Sequence, residues 1–304
     1  MKFAPIIYLI GMLLCILSLF MLVPAFVDWF YGSENWPAFV GSSISTLFVG
    51  LILFFSNKGS ATEHLELRQA FLLTNSAWIS IALFGSLPFL LSDIEMSFID
   101  AFFESTSGIT TTGATVIENL EAKSHGILIW RALLQWLGGV GIIVMALAVL
   151  PMLSIGGMQL FKTESYETPD KVVPKAASFA AGISIVYITL TVIWALMLWG
   201  AGMPMFDSIA HAMTTLATGG YSTKSESLAA FNSSTIEIII IFGMLVGSLP
   251  FVHYLTLSKN GLKNLIKDDQ VKLFLTMVLF VVLIISLYLS FNNLPFLDAL
   301  RLAS

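Results

Sequence analysis

The sequence has 304 residues, of which 57% are hydrophobic and only 11% are charged. Soluble domains carry roughly 25% charged residues, so this composition excludes an ordinary soluble globular protein. With one cysteine, Cys15, no disulfide can form within the chain. The net charge of −5 says little by itself, because in a membrane protein the distribution of charge matters more. We expect no nucleic-acid partner.

Seven charge-free apolar runs follow one another along the chain. They are Phe3–Val27, Asn35–Asn57, Gln69–Ser92, Ala132–Phe161, Ala176–Phe206, Ile238–Ser258 and Leu273–Pro295. Each exceeds the roughly 20 residues that a helix needs to cross about 30 Å of hydrocarbon. The first run is longer than the ~7–15 residues of a signal-peptide core and precedes no A-x-A cleavage site, so we expect an uncleaved membrane helix. The runs predict an all-α integral membrane protein.

Lysine and arginine are distributed unequally between the predicted sides of the membrane. One side holds ten of them: Lys2, Lys58, Arg68, Lys162, Lys171, Lys175, Lys259, Lys263, Lys267 and Lys272. The other side holds only Lys123, Lys224 and Arg301. Because cytoplasmic loops are enriched in positive charge, a cytoplasmic N-terminus is predicted. Arg131 directly precedes the fourth run, near the outer end of the predicted helix, where we expect it to snorkel to the interface; an ion pair with a re-entrant-segment acid such as Glu104 is the alternative.

Two outer segments, residues 98–117 and 205–224, are too short to span and pass from an apolar helical pattern into Thr/Gly-rich sequence. A helix of ~11 residues reaches about 16 Å, half the membrane. Six extended residues of ~3.3 Å each return about 20 Å. We predict a re-entrant helix followed by an extended return strand. Bare backbone of this kind cannot face lipid, so it must line a water-filled pathway or be buried in protein.

The two segments align without gaps from Asp100 and Asp207 onward. The alignment places Thr111 on Thr218, Thr112 on Gly219 and Gly113 on Gly220, and Phe296–Leu300 repeats the start a third time. One such segment alone could be a polar outer loop, but the repetition favours a structural unit of outer helix, re-entrant segment and inner helix. Carbonyl groups of a Thr/Gly strand can replace the hydration shell of a cation.

Two further patterns allow two interpretations each. Asp100, Asp207 and Asp298 each open a short helix as an N-cap or first-turn acid. They can also contribute to an acidic outer mouth that concentrates cations, together with Asp93, Glu95, Glu104, Glu118 and Glu121, and the two roles are compatible. The glycines of Gly138–Gly141 lie in mid-helix with no preceding strand, so they predict close helix packing rather than a nucleotide-binding turn.

The segments FFESTSGITTTGAT, RALLQWLGGVGIIVMALAVLP, GGMQLFKTES and AMTTLATGGYST together resemble the TrkH-type potassium-uptake proteins of the Trk/Ktr/HKT superfamily. The resemblance covers essentially the whole chain. It implies two extra N-terminal helices and four helix–pore–helix units around one pore, each with one filter strand. It marks as K⁺ ligands, through their backbone carbonyls, the residues Thr111, Thr112, Gly113, Thr218, Gly219 and Gly220.

On this pattern the chain divides into residues 1–68 (two N-terminal helices), 69–161 and 162–258 (two complete helix–pore–helix units), and 259–304 (the start of a third unit). The third filter glycine would fall at about position 311, so we expect the sequence to hold two of the family's four filter strands.

The resemblance implies channel-like potassium uptake across the bacterial inner membrane by a multi-pass subunit that is not an enzyme and carries no organic cofactor. It also implies a homodimer and a cytoplasmic, nucleotide-binding TrkA-type regulator ring, and it leaves Na⁺ or H⁺ coupling open.

Two rival functions remain to be weighed. A secondary transporter, with discontinuous helices that bind another cation or a small solute, predicts inverted repeats, whereas the units here share one orientation. A membrane-embedded enzyme would need a Ser/His or HExxH constellation, which the sequence lacks. The histidines His64, His125, His211 and His253 share no metal-binding spacing, and for His211 we expect a packed or solvent-lined role rather than that of a ligand.

Overall fold

The computed structural model describes residues 3–60, 67–153, 172–251, 253–255, 267–292 and 294–303. The α-helices in these ranges are α1 (Ala4–Phe30), α2 (Trp36–Ser56), α3 (Leu67–Gly85), α4 (Leu87–Leu91), α5 (Phe98–Ile109), α6 (His125–Leu153), α7 (Val172–Gly200), α8 (Met205–Leu216), α9 (Ser234–Ser248), α10 (Asp269–Phe291) and α11 (Phe296–Ala303). Within these ranges, five helical segments meet both the length and the apolarity needed to cross a membrane: Ala4–Phe30, Trp36–Ser56, Arg68–Leu91, Ala180–Gly200 and Asp269–Phe291.

All seven predicted apolar runs contain a helix, so the predicted all-α membrane fold is confirmed. Three runs are interrupted or end earlier than predicted. The third is interrupted at Ser86, because Pro88 has no N–H and its ring displaces the carbonyl four residues earlier. The fifth ends at Gly200 rather than Phe206, since Gly202 takes a φ of +95° and Pro204 follows. The sixth contains α9, which ends at Ser248, two residues before Pro250 and ten residues short of the predicted Ser258.

The N-terminal helices α1 and α2 pack closely through small residues. A Cβ atom built on Gly11 would lie 2.8 Å from the Gly50 carbonyl oxygen, and one on Gly50 would lie 3.0 Å from the Gly11 oxygen. Ser43 donates a hydrogen bond of 2.7 Å to the Ser18 carbonyl. Small residues let two membrane helices approach at backbone distance, which dispersion and such bonds then stabilise.

A buried carboxylate joins α1 to the first pore unit. Asp28, fully buried near the end of α1, accepts hydrogen bonds from the Gly126 N–H (2.6 Å) and the Ser124 hydroxyl (3.0 Å) at the start of α6. A negative group at a helix N-terminus satisfies unpaired N–H groups and complements the helix dipole. The contact holds the N-terminal end of α6 beside the C-terminal end of α1.

Residues 1–247 form one compact unit and residues 248–304 form a second. The two N-terminal helices therefore belong to the same compact unit as both re-entrant segments. In the second unit, Asp268 caps α10 by accepting from the N–H groups of Gln270 and Val271, and it contacts His253 at 3.2 Å. The fourfold division at residues 68, 161 and 258 describes repeats along the chain and stays a prediction.

Candidate ion-filter site

The two re-entrant helices are equivalent in length and position. Helices α5 and α8 have 12 residues each, and the second begins and ends 107 residues after the first. Both are followed by non-helical backbone, over residues 110–119 and 217–226. A helix of this length covers about half the hydrocarbon thickness.

Both helices end in the same hydrogen-bond pattern, a Schellman motif, in which two N–H groups beyond the helix reach back to carbonyls of its last turn. The four bonds are Thr111 to Gly108 (3.0 Å), Thr112 to Ser107 (2.9 Å), Thr218 to Thr215 (3.0 Å) and Gly219 to Thr214 (2.9 Å). The left-handed position of the motif, where glycine is usual, holds Thr111 (φ +55°) and Thr218 (φ +53°). A β-branched residue there is strained, and such strain concentrates at functional sites.

The aligned glycines also share their backbone conformation. Gly113 has a φ of +81° and Gly220 a φ of +78°. A Cβ atom on Gly113 would lie 2.2 Å from the Gly219 carbonyl oxygen, whereas nothing lies within 4 Å of one on Gly220. The two predicted filter strands therefore touch each other, with the backbone of the first against a carbonyl of the second.

One side chain of the first unit holds the second strand. Gln135 of α6 is fully buried; its Nε2 donates to the Gly219 carbonyl (2.7 Å), and its Oε1 accepts from the Tyr221 N–H (3.0 Å). The sequence analysis did not select this residue. The signal was present, because a polar side chain within an apolar membrane helix marks an internal contact.

A buried ion pair supports the first strand. Arg131 Nε lies 2.8 Å from Glu104 Oε1, and both side chains are almost completely buried. The other contacts of Glu104 are with the return strand, where Thr115 donates its hydroxyl (2.9 Å) and Val116 its N–H (3.0 Å). The snorkelling prediction for Arg131 was wrong and the ion-pair alternative is confirmed. Glu104 consequently does not belong to an exposed acidic mouth.

Tyr221 connects the two units from the second strand. Its hydroxyl lies 2.9 Å from the Glu104 carbonyl and 3.1 Å from the Ala114 carbonyl, and shares its proton between them. The guanidinium of Arg131 lies 4.1 Å from the Tyr221 ring centre and donates to the Ser222 carbonyl at 2.8 Å. The first pore helix, the first strand, α6 and the second strand thus form one polar network in which cation–π and charge-assisted bonds cooperate.

The second unit ties its helix to its strand without a charged pair. His211, aligned with Glu104, is buried and packed, which is one of the two roles predicted for it. Its Nδ1–H donates to the Asp207 carbonyl (2.8 Å), which can only accept, so the Ser222 hydroxyl donates to Nε2 (3.0 Å). Asp207 is itself buried and accepts from the Thr223 hydroxyl at 2.7 Å, so it does not form part of an exposed acidic mouth.

The remaining motif predictions can also be placed. Asp100 stands in the first turn of α5, where it exchanges hydrogen bonds with the N-cap Ser97. The predicted close packing is confirmed for two of the α6 glycines, since a Cβ on Gly138 would lie 2.0 Å from the Ile109 carbonyl and one on Gly139 would lie 3.1 Å from Ala217; Gly141 has no such contact among the described residues. Both contacts are with the ends of the re-entrant helices. The motif GGMQLFKTES, residues 156–165, lies outside the described residues.

The sequence model of the TrkH family, described as a cation transport protein, matches residues 36–300. Among curated proteins, the Trk system potassium uptake protein TrkH of Salmonella typhimurium is 39% identical over 298 residues, covering 97% of this chain and 62% of that protein. The TrkH of Escherichia coli K12 is 38% identical, covering 96% of this chain and 61% of that protein. The crystal structure of the potassium transporter TrkH from Vibrio parahaemolyticus superposes with a TM-score of 0.90 at 36% identity, covering 100% of this chain and 63% of that one.

Apolar spanning helices, together with two short helices that each lead into non-helical backbone, define an integral membrane protein. The chain belongs to the TrkH family of cation transport proteins. It spans less than two thirds of the length of the relatives described above.

Proposed function

We propose that this chain forms part of a potassium-uptake pore in the bacterial inner membrane. The observation that carries the proposal is the pair of half-membrane helices, each ended by the same turn and followed by a glycine of positive φ, whose strands touch at Gly113 and Gly219. Non-helical backbone at membrane depth is tolerated where it lines a pathway for ions and water. The relatives are named as potassium uptake proteins, and they are transporters rather than enzymes.

The proposed ion ligands are backbone carbonyls of the two strands, three residues in each. They are Thr111, Thr112 and Gly113 in the first unit, and Thr218, Gly219 and Gly220 in the second. Rings of carbonyl oxygens replace the hydration shell of K⁺ and so favour it over Na⁺. No organic cofactor on this chain enters the proposal, and Na⁺ or H⁺ coupling stays open in it.

The proposal extends to assembly and orientation. The relatives belong to a Trk system, which supports a multi-component complex; we propose a homodimer that binds a cytoplasmic, nucleotide-binding TrkA-type ring. The excess of lysine and arginine supports a cytoplasmic N-terminus.

Cysteine labelling tests the orientation on a Cys15→Ala background. An impermeant reagent applied to sealed cells should modify Ser33→Cys and Ser225→Cys but not Ser60→Cys or Ser165→Cys. Labelling of Ser165→Cys from outside would contradict the proposed topology.

Transport is tested with a graft in which residues 1–304 replace the matching segment of the Escherichia coli relative; we call it the grafted transporter. Expressed in a bacterium that lacks potassium uptake, it should restore growth on limiting K⁺ and carry K⁺ and Rb⁺ in preference to Na⁺. A secondary transporter for another solute predicts no such order among the three cations. Failure of the graft to move K⁺, at normal membrane expression, would overturn the proposed function.

A further inference from the structure

Gln135 occupies an unusual place for an uncharged side chain in a membrane helix. It is fully buried, and its two polar atoms contact the second filter strand on either side of Gly220, at the Gly219 carbonyl and the Tyr221 N–H. A carboxamide offers a donor and an acceptor on the two ends of one planar group, and it carries no charge at any pH. The two backbone partners also fix the orientation of the amide, since Nε2 must face the carbonyl and Oε1 the N–H.

The residue between these two contacts is the least constrained in the strand. Gly220 has a φ of +78°, and no atom of the described part of the chain lies within 4 Å of the position that a Cβ would take. Glycine rotates more freely than any other residue, so the peptide planes on both sides of Gly220 have little intrinsic resistance to flipping. Gln135 binds both planes, and a flip of either one would leave a buried polar group without its partner.

The hydrogen bond from Gln135 also determines whether the Gly219 carbonyl is available to an ion. Its oxygen lies 2.7 Å from Gln135 Nε2 and would lie 2.2 Å from a Cβ on Gly113, so it is enclosed between α6 and the first strand. A carbonyl held in this way keeps the two strands at a fixed distance from each other. An ion bound by the second strand is then coordinated by the carbonyls of Thr218 and Gly220, and the contacts of Gly219 fix where those carbonyls point.

From these contacts we infer that Gln135 is a specificity-determining positioning residue: it holds both peptide planes that flank Gly220 and turns the Gly219 carbonyl away from the ion. The inference rests on the proposed function and amends it at one residue: it removes the Gly219 carbonyl from the six proposed ligands and keeps the other five. No ion touches Gln135; it acts through the backbone of the strand.

The test replaces Gln135 in the grafted transporter and compares K⁺ with Na⁺ permeation. Gln135→Met keeps the length of the side chain and removes the donor and the carboxamide acceptor. We expect the preference for K⁺ over Na⁺ to fall at least about tenfold, because the strand then loses two buried hydrogen bonds. Trp136→Phe is the matched control: it removes a hydrogen bond of 3.0 Å to Thr191 from the neighbouring residue of α6, and the preference should not change.

A second variant keeps the inference testable if Gln135→Met does not fold. Gln135→Glu, when protonated, retains a donor toward Gly219, and when ionised it loses that donor. Its preference for K⁺ should therefore decline between about pH 5 and about pH 9, the range in which a buried carboxyl titrates, while the unmodified graft shows no such decline.

The outcomes separate the two proposals. A folded Gln135→Met with unchanged selectivity, or a Gln135→Glu variant that keeps full selectivity throughout the pH range, would overturn the inference while leaving K⁺ transport by the parent graft as support for the proposed function. A parent graft that moves no K⁺ overturns both.

Discussion

The two re-entrant units share their backbone and differ in what holds it. In both, a side chain of the short helix reaches a hydroxyl 11 residues later on the return strand: Thr115 donates to Glu104 in the first unit, and Ser222 donates to His211 in the second. Glu104 is charged and needs Arg131, whereas His211 is satisfied without an ion pair. The hydrogen bond between short helix and return strand therefore stands at the same place in both repeats, but a carboxylate accepts it in the first and an imidazole in the second.

The units differ also in the space around their glycines. Gly113 meets the opposite strand, while Gly220 faces open space and is held by Gln135 through its neighbours. The first glycine is needed for its φ and its lack of a Cβ, the second for its φ alone. Equivalent residues of a repeat can thus tolerate substitution very differently.

The largest expected effect, a loss of stability, comes from breaking the buried ion pair between Arg131 and Glu104. Arg131→Met should destabilise the fold by about 3–5 kcal/mol, because it leaves the Glu104 carboxylate buried without a counter-charge. The measurement is the thermal unfolding of the purified protein in detergent. Adding Glu104→Gln should recover part of the loss.

The neutral helix-to-strand contact provides the comparison. His211→Leu should cost only about 1–3 kcal/mol, the usual penalty for buried hydrogen-bond partners left unpaired. If His211→Leu lowered the free energy of unfolding as much as Arg131→Met, the charged and the neutral helix-to-strand contacts would not differ in their contribution to stability.

The glycines should show the next largest difference, in selectivity. In the grafted transporter, Gly113→Ser should lower the preference for K⁺ over Na⁺ by roughly tenfold or more, since the new side chain displaces the Gly219 carbonyl as well as straining φ. Gly220→Ser meets only the strain and should lower the preference less. Reversal potentials in mixed K⁺ and Na⁺ give both values.

A control for these two variants lies on α6. Gly141 has no atom within 4 Å of its Cβ position and takes an ordinary helical φ, so Gly141→Ser should leave selectivity unchanged. Gly139 is unsuitable because a Cβ there would press on Ala217, directly before Thr218. If Gly113→Ser and Gly220→Ser lowered the preference for K⁺ over Na⁺ equally, the steric difference between the two glycines would have no effect on selectivity.

The strained threonines should behave alike in the two units. Thr111→Gly and Thr218→Gly each relieve a β-branched residue at positive φ, which should stabilise the fold by about 0.5–1 kcal/mol after the entropy cost of glycine. Thermal unfolding measures the gain, and we expect weaker K⁺ selectivity in both because the turn becomes more flexible. A loss of stability in either variant would mean that its threonine is not strained.

Much of this arrangement could be predicted from the sequence, because the signals were local. The length of the apolar runs predicts the helices, and the ungapped repeat predicts that Gly113 and Gly220 occupy the same place in two turns. The contacts of Gln135 join residues 84 and 86 positions apart, and only the packing of α6 against the second strand creates them. Arg131 was expected to seek water because it directly precedes an apolar run; its partner Glu104 lies 27 residues earlier, on a helix that returns beside it.

The smallest expected effect concerns the outer loops, where the two units meet in water. Glu121 accepts from the Ser225 hydroxyl and N–H, and these bonds lower the pKa of its carboxyl to about 2, from an ordinary value of 4.5. Because the folded pKa is depressed, the stabilisation is complete above pH 4.5, declines between pH 4.5 and about 2, and is lost below that. Carboxyl chemical shifts of ¹³C-labelled protein should show Glu121 still mostly ionised well below pH 4.5, with its titration midpoint at about pH 2. Ser225→Ala removes the hydroxyl and should raise the pKa toward 4.5, whereas Ser225→Thr should retain the low value. A Glu121 carboxyl that titrates near 4.5 in the unmodified protein would show that the two loops are not joined in this way.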